Sequence, residues 1–460
     1  MGPSPTAQRA RPRRGQEVEV TIDSLAHGGA GVGRFDGFVV FVRGVVPGDR
    51  VRAQIEKAKR SFAEARMVEL VEPSSDRIEP RSAHPGAPWQ VLPYERQLEE
   101  KKRQVRDALV RLGGFDEPPV QDIVPALAQW RYRNKVEYSF GRDDSGELTL
   151  GFHRPGRWDV IDPIADDILA SERVGTLRES VLAWCREQGL SDYDRSSHDG
   201  LLRNLVVREG RRTSRLQARL VTSTKAAFAH DELAAALPAD SVLWTRAEGV
   251  AETSRGGRTR TLKGEAGLPE ELELGEARLR FGISPDAFFQ TNTEMAERLY
   301  ATAAELAGLT GRERVFDLYC GIGTISLALA LDAAEVIGVE VAERAVADAI
   351  ENAKANGVDN ARFYAGDIRT AMRPLIEEEG KADVVVLDPP RAGLSQKVVR
   401  RVLEAEAPRI VYVSCNPTTL APNARQMVDA GYELKTVRPV DMFPQTPHIE
   451  SVAVLDRTGP

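Results

Sequence analysis

Hydrophobic and polar positions divide the chain into three stretches of different rhythm. Between residues 15 and 73, apolar side chains alternate with polar ones in the short runs Gln16–Ile22, Phe38–Val42, Val51–Glu56 and Ala65–Val71. Alternation over such runs is the mark of half-buried strands. Ala26-His27-Gly28-Gly29-Ala30-Gly31-Val32-Gly33 reads as a glycine-rich turn and Val46-Pro47-Gly48-Asp49 as another. The pattern predicts a small closed or nearly closed barrel. From Pro73 to Pro93, Pro, Ser and charged residues mark a connection. Tyr94–Leu112 then sets Leu98, Val105, Ala108, Leu109 and Leu112 at helical spacing before Gly113-Gly114 stops the helix. Residues 130–281 mix short strands with polar turns, which predicts a central α+β unit.

Beyond residue 282 strands alternate with helices, and the strands end in polar residues. Val315-Phe316-Asp317-Leu318 feeds Tyr319-Cys320-Gly321-Ile322-Gly323-Thr324 and the helical run Ile325–Leu331. Later strands end in Glu340, Asp367 and Asp388, and Val411-Tyr412-Val413-Ser414 ends in Cys415-Asn416-Pro417. This order predicts a doubly wound parallel sheet of Rossmann-like type, whose carboxyl edge is where ligands bind. The glycines let a nucleoside come close to the backbone, and an acid roughly 20 residues later accepts from ribose hydroxyls. A dinucleotide site favours a third glycine, and Ser326 stands at that position. The departure points to S-adenosylmethionine, and the series Asp-x-x-x-Gly-x-Gly, Glu340, Asp367, Asp388-Pro389-Pro390 resembles the class I methyltransferases.

Composition adds limits. Charged residues at 28% and hydrophobic ones at 42% describe an ordinary globular chain. No apolar run approaches the roughly 20 residues that cross a bilayer. Residues 1–14 carry Arg9, Arg11, Arg13 and Arg14 without an apolar core, so they read as a basic disordered tail and not a secretory signal, with the cytoplasm as the default location. Cys185, Cys320 and Cys415 are isolated, which excludes a disulfide framework or an all-cysteine metal site within this chain. Cys320 reads as packing. Cys415 is either a small core residue or a reactive thiol at the sheet edge, and its local sequence leaves both open.

Charge is uneven. Residues 1–73 carry 12 basic against 9 acidic side chains, residues 74–281 carry 32 against 34, and residues 282–460 carry 18 against 26. A polyanion-gripping module joined to an acidic catalytic unit shows this asymmetry, and so does a solvated basic tail. Lys57-Ala58-Lys59-Arg60-Ser61-Phe62 places cations beside a ring, as a loop that meets phosphates and stacks on a base does. A solvated hairpin tip reads the same way.

The glycine segment with Phe38-Val39-Val40-Phe41-Val42 and Val46-Pro47-Gly48-Asp49-Arg50-Val51 resembles a TRAM domain, the small RNA-binding barrel of several RNA-modifying enzymes. Ser284-Pro285-Asp286-Ala287-Phe288-Phe289-Gln290-Thr291-Asn292, Asp388-Pro389-Pro390-Arg391-Ala392-Gly393-Leu394, Val413-Ser414-Cys415-Asn416-Pro417 and Pro447-His448-Ile449-Glu450 together resemble the RNA uridine-5-methyltransferase family. The resemblance implies methylation of uridine carbon 5 in ribosomal or transfer RNA, with S-adenosylmethionine as donor. Cys415 is then the nucleophile that adds to carbon 6, and Glu450 the base that removes the carbon 5 proton. It also implies that Gln290, Tyr319, Gly321, Gly323, Glu340, Asp367 and Asp388 line the cofactor or base site. Phe288 or Phe289 is a candidate to stack on an extruded uracil, or a core ring.

The implied organisation is a tail at 1–14, a TRAM barrel at 15–73, a linker, helix and central RNA-binding unit at 74–281, and a catalytic unit at 282–460, working as a monomer and away from membranes. Many TRAM-bearing relatives hold an iron–sulfur cluster on four cysteines, three of them before a segment like Trp89–Leu98. Here Arg81-Ser82-Ala83-His84-Pro85-Gly86-Ala87-Pro88 has none, so no cluster and no metal are expected. Two other readings stand beside this one: methylation at another base position, and an inactive RNA-binding homologue.

Overall fold

The computed structural model describes residues 11–194, 196–224, 228–249 and 256–459. Residues 1–10 of the expected tail lie outside that range; Arg11, at its inner end, donates to the Ala58 carbonyl.

The N-terminal unit is a closed barrel of β1 (Glu17–Leu25), β2 (Gly31–Phe35), β3 (Phe38–Arg43), β4 (Arg50–Ala58) and β5 (Phe62–Glu72), in the order β1-β2-β3-β5-β4. Val18, Val20, Ile22, Val40, Val42, Val51, Ala53 and Ile55 fill it, as alternation requires. The glycine segment differs from its reading as a turn throughout. Ala26–Ala30 turns, but Gly31-Val32-Gly33 is strand, paired with β1 and β3. Its glycines serve close approach: a methyl group on Gly33 would lie 2.3 Å from Val20 Cγ1 and 2.4 Å from the Thr21 carbonyl oxygen.

The linker leads to α1 (Tyr94–Arg111), whose Val105, Ala108 and Leu109 pack into the catalytic core. The central unit contains β6 (Lys135–Arg142), β7 (Leu148–Arg154), β8 (Arg157–Pro163), α2 (Glu172–Glu187), β9 (Leu202–Gly210), β10 (Arg215–Thr222), α3 (His230–Ala236), β11 (Ser241–Arg246) and β12 (Arg258–Lys263). Its strands form one mixed sheet in the order β12-β11-β10-β9-β6-β7-β8. The cysteine-free segment 81–88 is fastened to it by polar bonds. His84 Nε2 and Asp167 Oδ1 lie 2.9 Å apart, and the Tyr138 hydroxyl donates to Asp167 Oδ2 at 2.7 Å.

A hairpin of β13 (Leu268–Leu274) and β14 (Ala277–Ile283) follows. Leu268, Leu272, Leu279, Phe281 and Ile283 belong to the same buried cluster as α4 (Thr293–Ala307) and the catalytic sheet. The expected division at residues 281 and 282 therefore falls inside a strand that packs with the catalytic core.

The catalytic unit is doubly wound. Its elements are β15 (Arg314–Leu318), α5 (Thr324–Ala330), β16 (Glu335–Glu340), α6 (Glu343–Asn356), β17 (Ala361–Ala365), α7 (Ile368–Glu379), β18 (Val384–Leu387), α8 (Gln396–Glu404), β19 (Arg409–Ser414), α9 (Pro417–Asp429), β20 (Tyr432–Val440) and β21 (Glu450–Arg457). The strand order is β17-β16-β15-β18-β19-β21-β20. β15 to β19 run parallel, while β21 runs antiparallel to β19. This reversal brings the first residue of β21 to the carboxyl edge of the parallel strands. Central strands buried on both faces explain why Val384–Leu387 and Ile410–Val413 read as unbroken apolar runs.

Candidate active site

The sheet edge gathers the predicted residues from five strands. Tyr319, Glu340, Asp388 and Cys415 stand at or just past the ends of β15, β16, β18 and β19, and Glu450 opens β21. Ser414 pairs with Ser451, so Cys415 and Glu450 are the next positions along two adjacent strands. Leu387 pairs with Tyr412, which sets Asp388 on the other side of β19.

One half of the edge is a cleft of about 360 Å³ lined in part by Tyr319, Glu340, Asp367, Arg369, Gly393 and Ser395. Tyr319 has φ +72°, a left-handed backbone that costs a non-glycine residue energy and turns the chain sharply out of β15. Glu340 is fixed by backbone donors: Ala342 N–H reaches Oε1 at 2.9 Å and Gly321 N–H reaches Oε2 at 3.3 Å. Gly323 caps the N-terminus of α5. Asp367 caps α7, accepting from Arg369 N–H at 2.9 Å, and the Arg369 guanidinium with this backbone bond holds its carboxyl down at about 2. Ser326, at the position where a dinucleotide fold favours glycine, donates to Asp317 Oδ2 at 2.5 Å. Burial, with Glu340 adding its charge, pushes Asp317 up to about 7, and Asp317 Oδ1 has no partner among the described residues.

The other half is a crowd of acids around a thiol. Burial pushes Asp388 up to about 7 and Glu450 well above the carboxylate range; Asp317 adds to the first and Asp388 to the second. Burial, then Glu450 and Asp388, push the Cys415 thiol up to about 11, against the opposing charge of Arg391. Asn416 caps α9, and its Nδ2 donates to the Arg391 carbonyl at 2.9 Å, tying the Cys415 loop to the loop after Asp388. Cys185 and Cys320 are buried, whereas Cys415 is only half-buried.

The loop before Glu450 is clamped by α1. Lys101, fully buried, donates to Asp441 Oδ1 at 2.6 Å and to the Phe443 carbonyl at 3.0 Å. Gln97 and Gln445 exchange two bonds: Gln97 Nε2 to Gln445 Oε1 at 2.8 Å, and Gln445 N–H to Gln97 Oε1 at 2.9 Å.

Gln290 lies on the segment between β14 and α4. It is buried, and its carbonyl accepts from Asn134 Nδ2 at 2.9 Å. Phe289 is in the core against Phe281, whereas Phe288 is 60% exposed. Sequence reasoning gave no role to Arg369, Gly393 or Ser395 in the cleft, nor to Arg391, whose charge reaches the thiol. The signal for Arg391 was its place directly after Asp388-Pro389-Pro390.

The chain is similar along most of its length to known proteins. A family profile described as tRNA (Uracil-5-)-methyltransferase matches residues 246–458, and a TRAM domain profile matches residues 11–68. A Halalkalibacterium halodurans protein named an uncharacterized RNA methyltransferase is 37% identical over 98% of this chain and 99% of its own length. A Gloeobacter violaceus protein of the same description is 40% identical over 97% of each chain. The crystal structure of Pyrococcus abyssi tRNA (uracil-54, C5)-methyltransferase in complex with S-adenosyl-L-homocysteine matches with a TM-score of 0.73 at 28% identity, covering 95% of this chain and 100% of that one. Similarity of this extent, along the catalytic sheet and the barrel alike, means that the chain belongs to the tRNA (uracil-5-)-methyltransferase family of RNA methyltransferases and carries a TRAM domain.

Proposed function

We propose that this chain transfers a methyl group from S-adenosylmethionine to carbon 5 of a uridine in structured RNA, through a transient bond between Cys415 Sγ and carbon 6. The observation that carries the reading is the convergence of Cys415, Asp388 and Glu450 on one sheet edge beside the Glu340 cleft. The cleft residues fit the donor: Glu340 is oriented to accept from ribose hydroxyls, and Tyr319, Gly321, Gly323 and Asp367 surround the same turn. Bound there, S-adenosylmethionine supplies an electrophilic methyl group.

Carbon 5 of uracil is a weak nucleophile. Addition of the Cys415 sulfur to carbon 6 breaks the 5,6 double bond and moves its electrons into an enolate, from which carbon 5 attacks the methyl. A thiol held near 11 is protonated at neutral pH, so its proton has to leave as sulfur attacks. Asp388, raised to about 7, is the group that accepts it, which leaves Glu450 for the later step. Once carbon 5 carries the methyl, Glu450 takes its remaining proton. The electrons of that C–H bond restore the double bond and expel the Cys415 thiolate. Phe288, exposed beside Gln290, stacks on the extruded uracil, and Asp388 stands by the transferring methyl. All these groups come from one chain, so a monomer suffices, and the cytoplasm, where RNA is modified, is its place of work.

Cys415→Ala should lower methyl transfer by roughly 10³-fold or more. A 5-fluorouridine RNA, which has no carbon 5 proton to lose, should trap the wild-type protein covalently at Cys415. Normal turnover by Cys415→Ala would refute the reading. Transfer RNA is the first substrate to test, because the Pyrococcus relative is named for a tRNA uracil. Maps of 5-methyluridine in total RNA with and without the gene distinguish tRNA from rRNA.

A further inference from the structure

Glu450 opens β21 and pairs with Val440 at the end of β20, so the connection 441–449 closes on the rung that carries the base. The Glu450 side chain is buried and makes no ion pair among the described residues. Its aim therefore depends on the backbone at that rung. A connection between neighbouring strands ordinarily crosses the surface, where water meets its peptide groups. This one is buried at Asp441, Met442, Gln445, Thr446 and Ile449, so its peptide groups need partners from the protein.

The partners come from outside the catalytic sheet, one carbonyl at a time. Asn292 Nδ2 donates to the Met442 carbonyl, Lys101 Nζ to that of Phe443, the Tyr132 hydroxyl to that of Pro444 and Trp89 N–H to that of Gln445, each at 3.0 Å. Successive carbonyls are thus held by the segment before α4, by α1, by the approach to β6 and by the linker. Gln445 is the most tightly determined of them. Its φ is +66°, a left-handed backbone that a non-glycine residue keeps only where its surroundings over-determine it. Gln97 supplies that determination. Besides its two bonds with Gln445, its Nε2 donates to the carbonyls of Trp89 at 3.0 Å and Leu92 at 2.8 Å. At the start of the connection, Asp441 holds Lys101, accepts from the Tyr94 hydroxyl at 2.9 Å and donates its N–H to the Val124 carbonyl at 2.9 Å.

A loop that only needed solvating could exchange its partners. One whose consecutive carbonyls are each fixed by a separate element is confined to a single shape. Proton removal from carbon 5 needs such confinement, because misplacing a catalytic group by about 1 Å can cost on the order of 10²-fold in rate. We propose that Gln97, Lys101 and Tyr132 are positioning residues for Glu450, holding the 441–449 connection so that its carboxylate meets the carbon 5 proton of the methylated adduct. The proposal rests on the uridine-methylating reading of the same site. It gives the linker, α1 and the approach to the central unit a part in the second half of the reaction. The first half is held by different bonds, since Asn416 ties the Cys415 loop to the Arg391 carbonyl.

The test uses the full-length protein, tRNA and rRNA pools from a strain lacking the gene, and the same pools from cells grown with 5-fluorouracil. Gln97→Met keeps the length of the side chain and removes its hydrogen bonds. It should lower kcat by about 10- to 100-fold at nearly unchanged KM for RNA. Tyr132→Phe removes one hydrogen bond and no carbon, and should give a several-fold loss of the same kind; it decides the matter alone if Gln97→Met does not fold. In both variants ordinary RNA should accumulate as a covalent, methylated complex on a denaturing gel. Capture of 5-fluorouridine RNA, which stops before proton removal, should keep its wild-type rate, as should the Kd for S-adenosylhomocysteine its value. A clamp that only stabilises the fold lowers the melting temperature and either slows capture and turnover alike or leaves both untouched. Each of those results would overturn the proposal while wild-type capture stands. Failure of the wild-type protein to capture 5-fluorouridine RNA would overturn the uridine-methylating reading itself, and the proposal with it.

Discussion

Two pairs of carboxylates share one sheet edge and are held in opposite ways. On the cleft side, Glu340 accepts from two backbone N–H groups and Asp367 is capped and ion-paired, its carboxyl held at about 2. On the thiol side, Asp388 and Glu450 have no ion pair among the described residues, and burial raises both, with Asp317 adding to the first and Asp388 to the second. Asp367 is held in its charged form, whereas the surroundings of Asp388 and Glu450 favour the protonated form. Carboxylates look alike in a sequence, and their surroundings divide the labour. Exchanging one residue at a time on the two sides should give failures of different kind.

The largest effect is expected on the thiol side. Glu450→Gln keeps the shape of the side chain and removes the base, which should cut turnover by about 10² to 10⁴-fold. The loss should come after sulfur addition, so ordinary uridine-containing RNA should accumulate as a covalent, methylated complex visible on a denaturing gel. If Glu450→Gln turns over normally, or fails without any complex, the division between the two halves is wrong.

On the cleft side the expected effect is smaller and of another type. Glu340→Ala removes hydrogen bonds to a charged acceptor worth about 1.5–3 kcal/mol, which weakens cofactor binding by roughly 10 to 100-fold. Calorimetric titration with S-adenosylhomocysteine reads this directly. At saturating cofactor the kcat should recover most of the wild-type value. A kcat defect that saturation does not relieve would move Glu340 to the chemical half of the edge.

How much of this was legible in the sequence depends on distance along the chain. The barrel strands and the doubly wound sheet followed from local rhythm, because alternation and apolar runs are set by which faces are buried. Glu340, Asp388 and Cys415 were legible as strand ends, since the topology itself brings those ends together. Gly31-Val32-Gly33 read as turn and is strand, because glycine frees the backbone and admits close neighbours alike, and only the positions of Val20 and Thr21 show which. The hairpin at Leu268–Ile283 packs with the catalytic core through side chains whose partners lie tens of residues later. Phe288 and Phe289 are adjacent, and only the packing of Phe281 tells core from exposed ring.

The smallest effect concerns stability, and its sign follows from the raised Asp388. A carboxyl whose folded-state pKa lies above its unfolded value contributes its full share below about pH 4, and that share is lost as pH rises through about 7, where the native side chain ionises among Asp317, Glu450 and the thiol. At pH 5 the native Asp388 is protonated and only the first part of that share is lost, so Asp388→Asn, a neutral group of the same size, should melt only slightly above wild type. At pH 8 the wild-type site carries a repelled charge that the variant lacks, so Asp388→Asn should melt a few degrees higher while methylating RNA poorly. Thermal melts of the two proteins at pH 5 and pH 8 give the comparison. Equal shifts at both pH values would mean that Asp388 is not among the proton-exchanging acids. A gain much larger at pH 8 would mean that this half of the edge keeps its acids crowded at a cost in stability, which the ion-paired Asp367 on the other half does not bear.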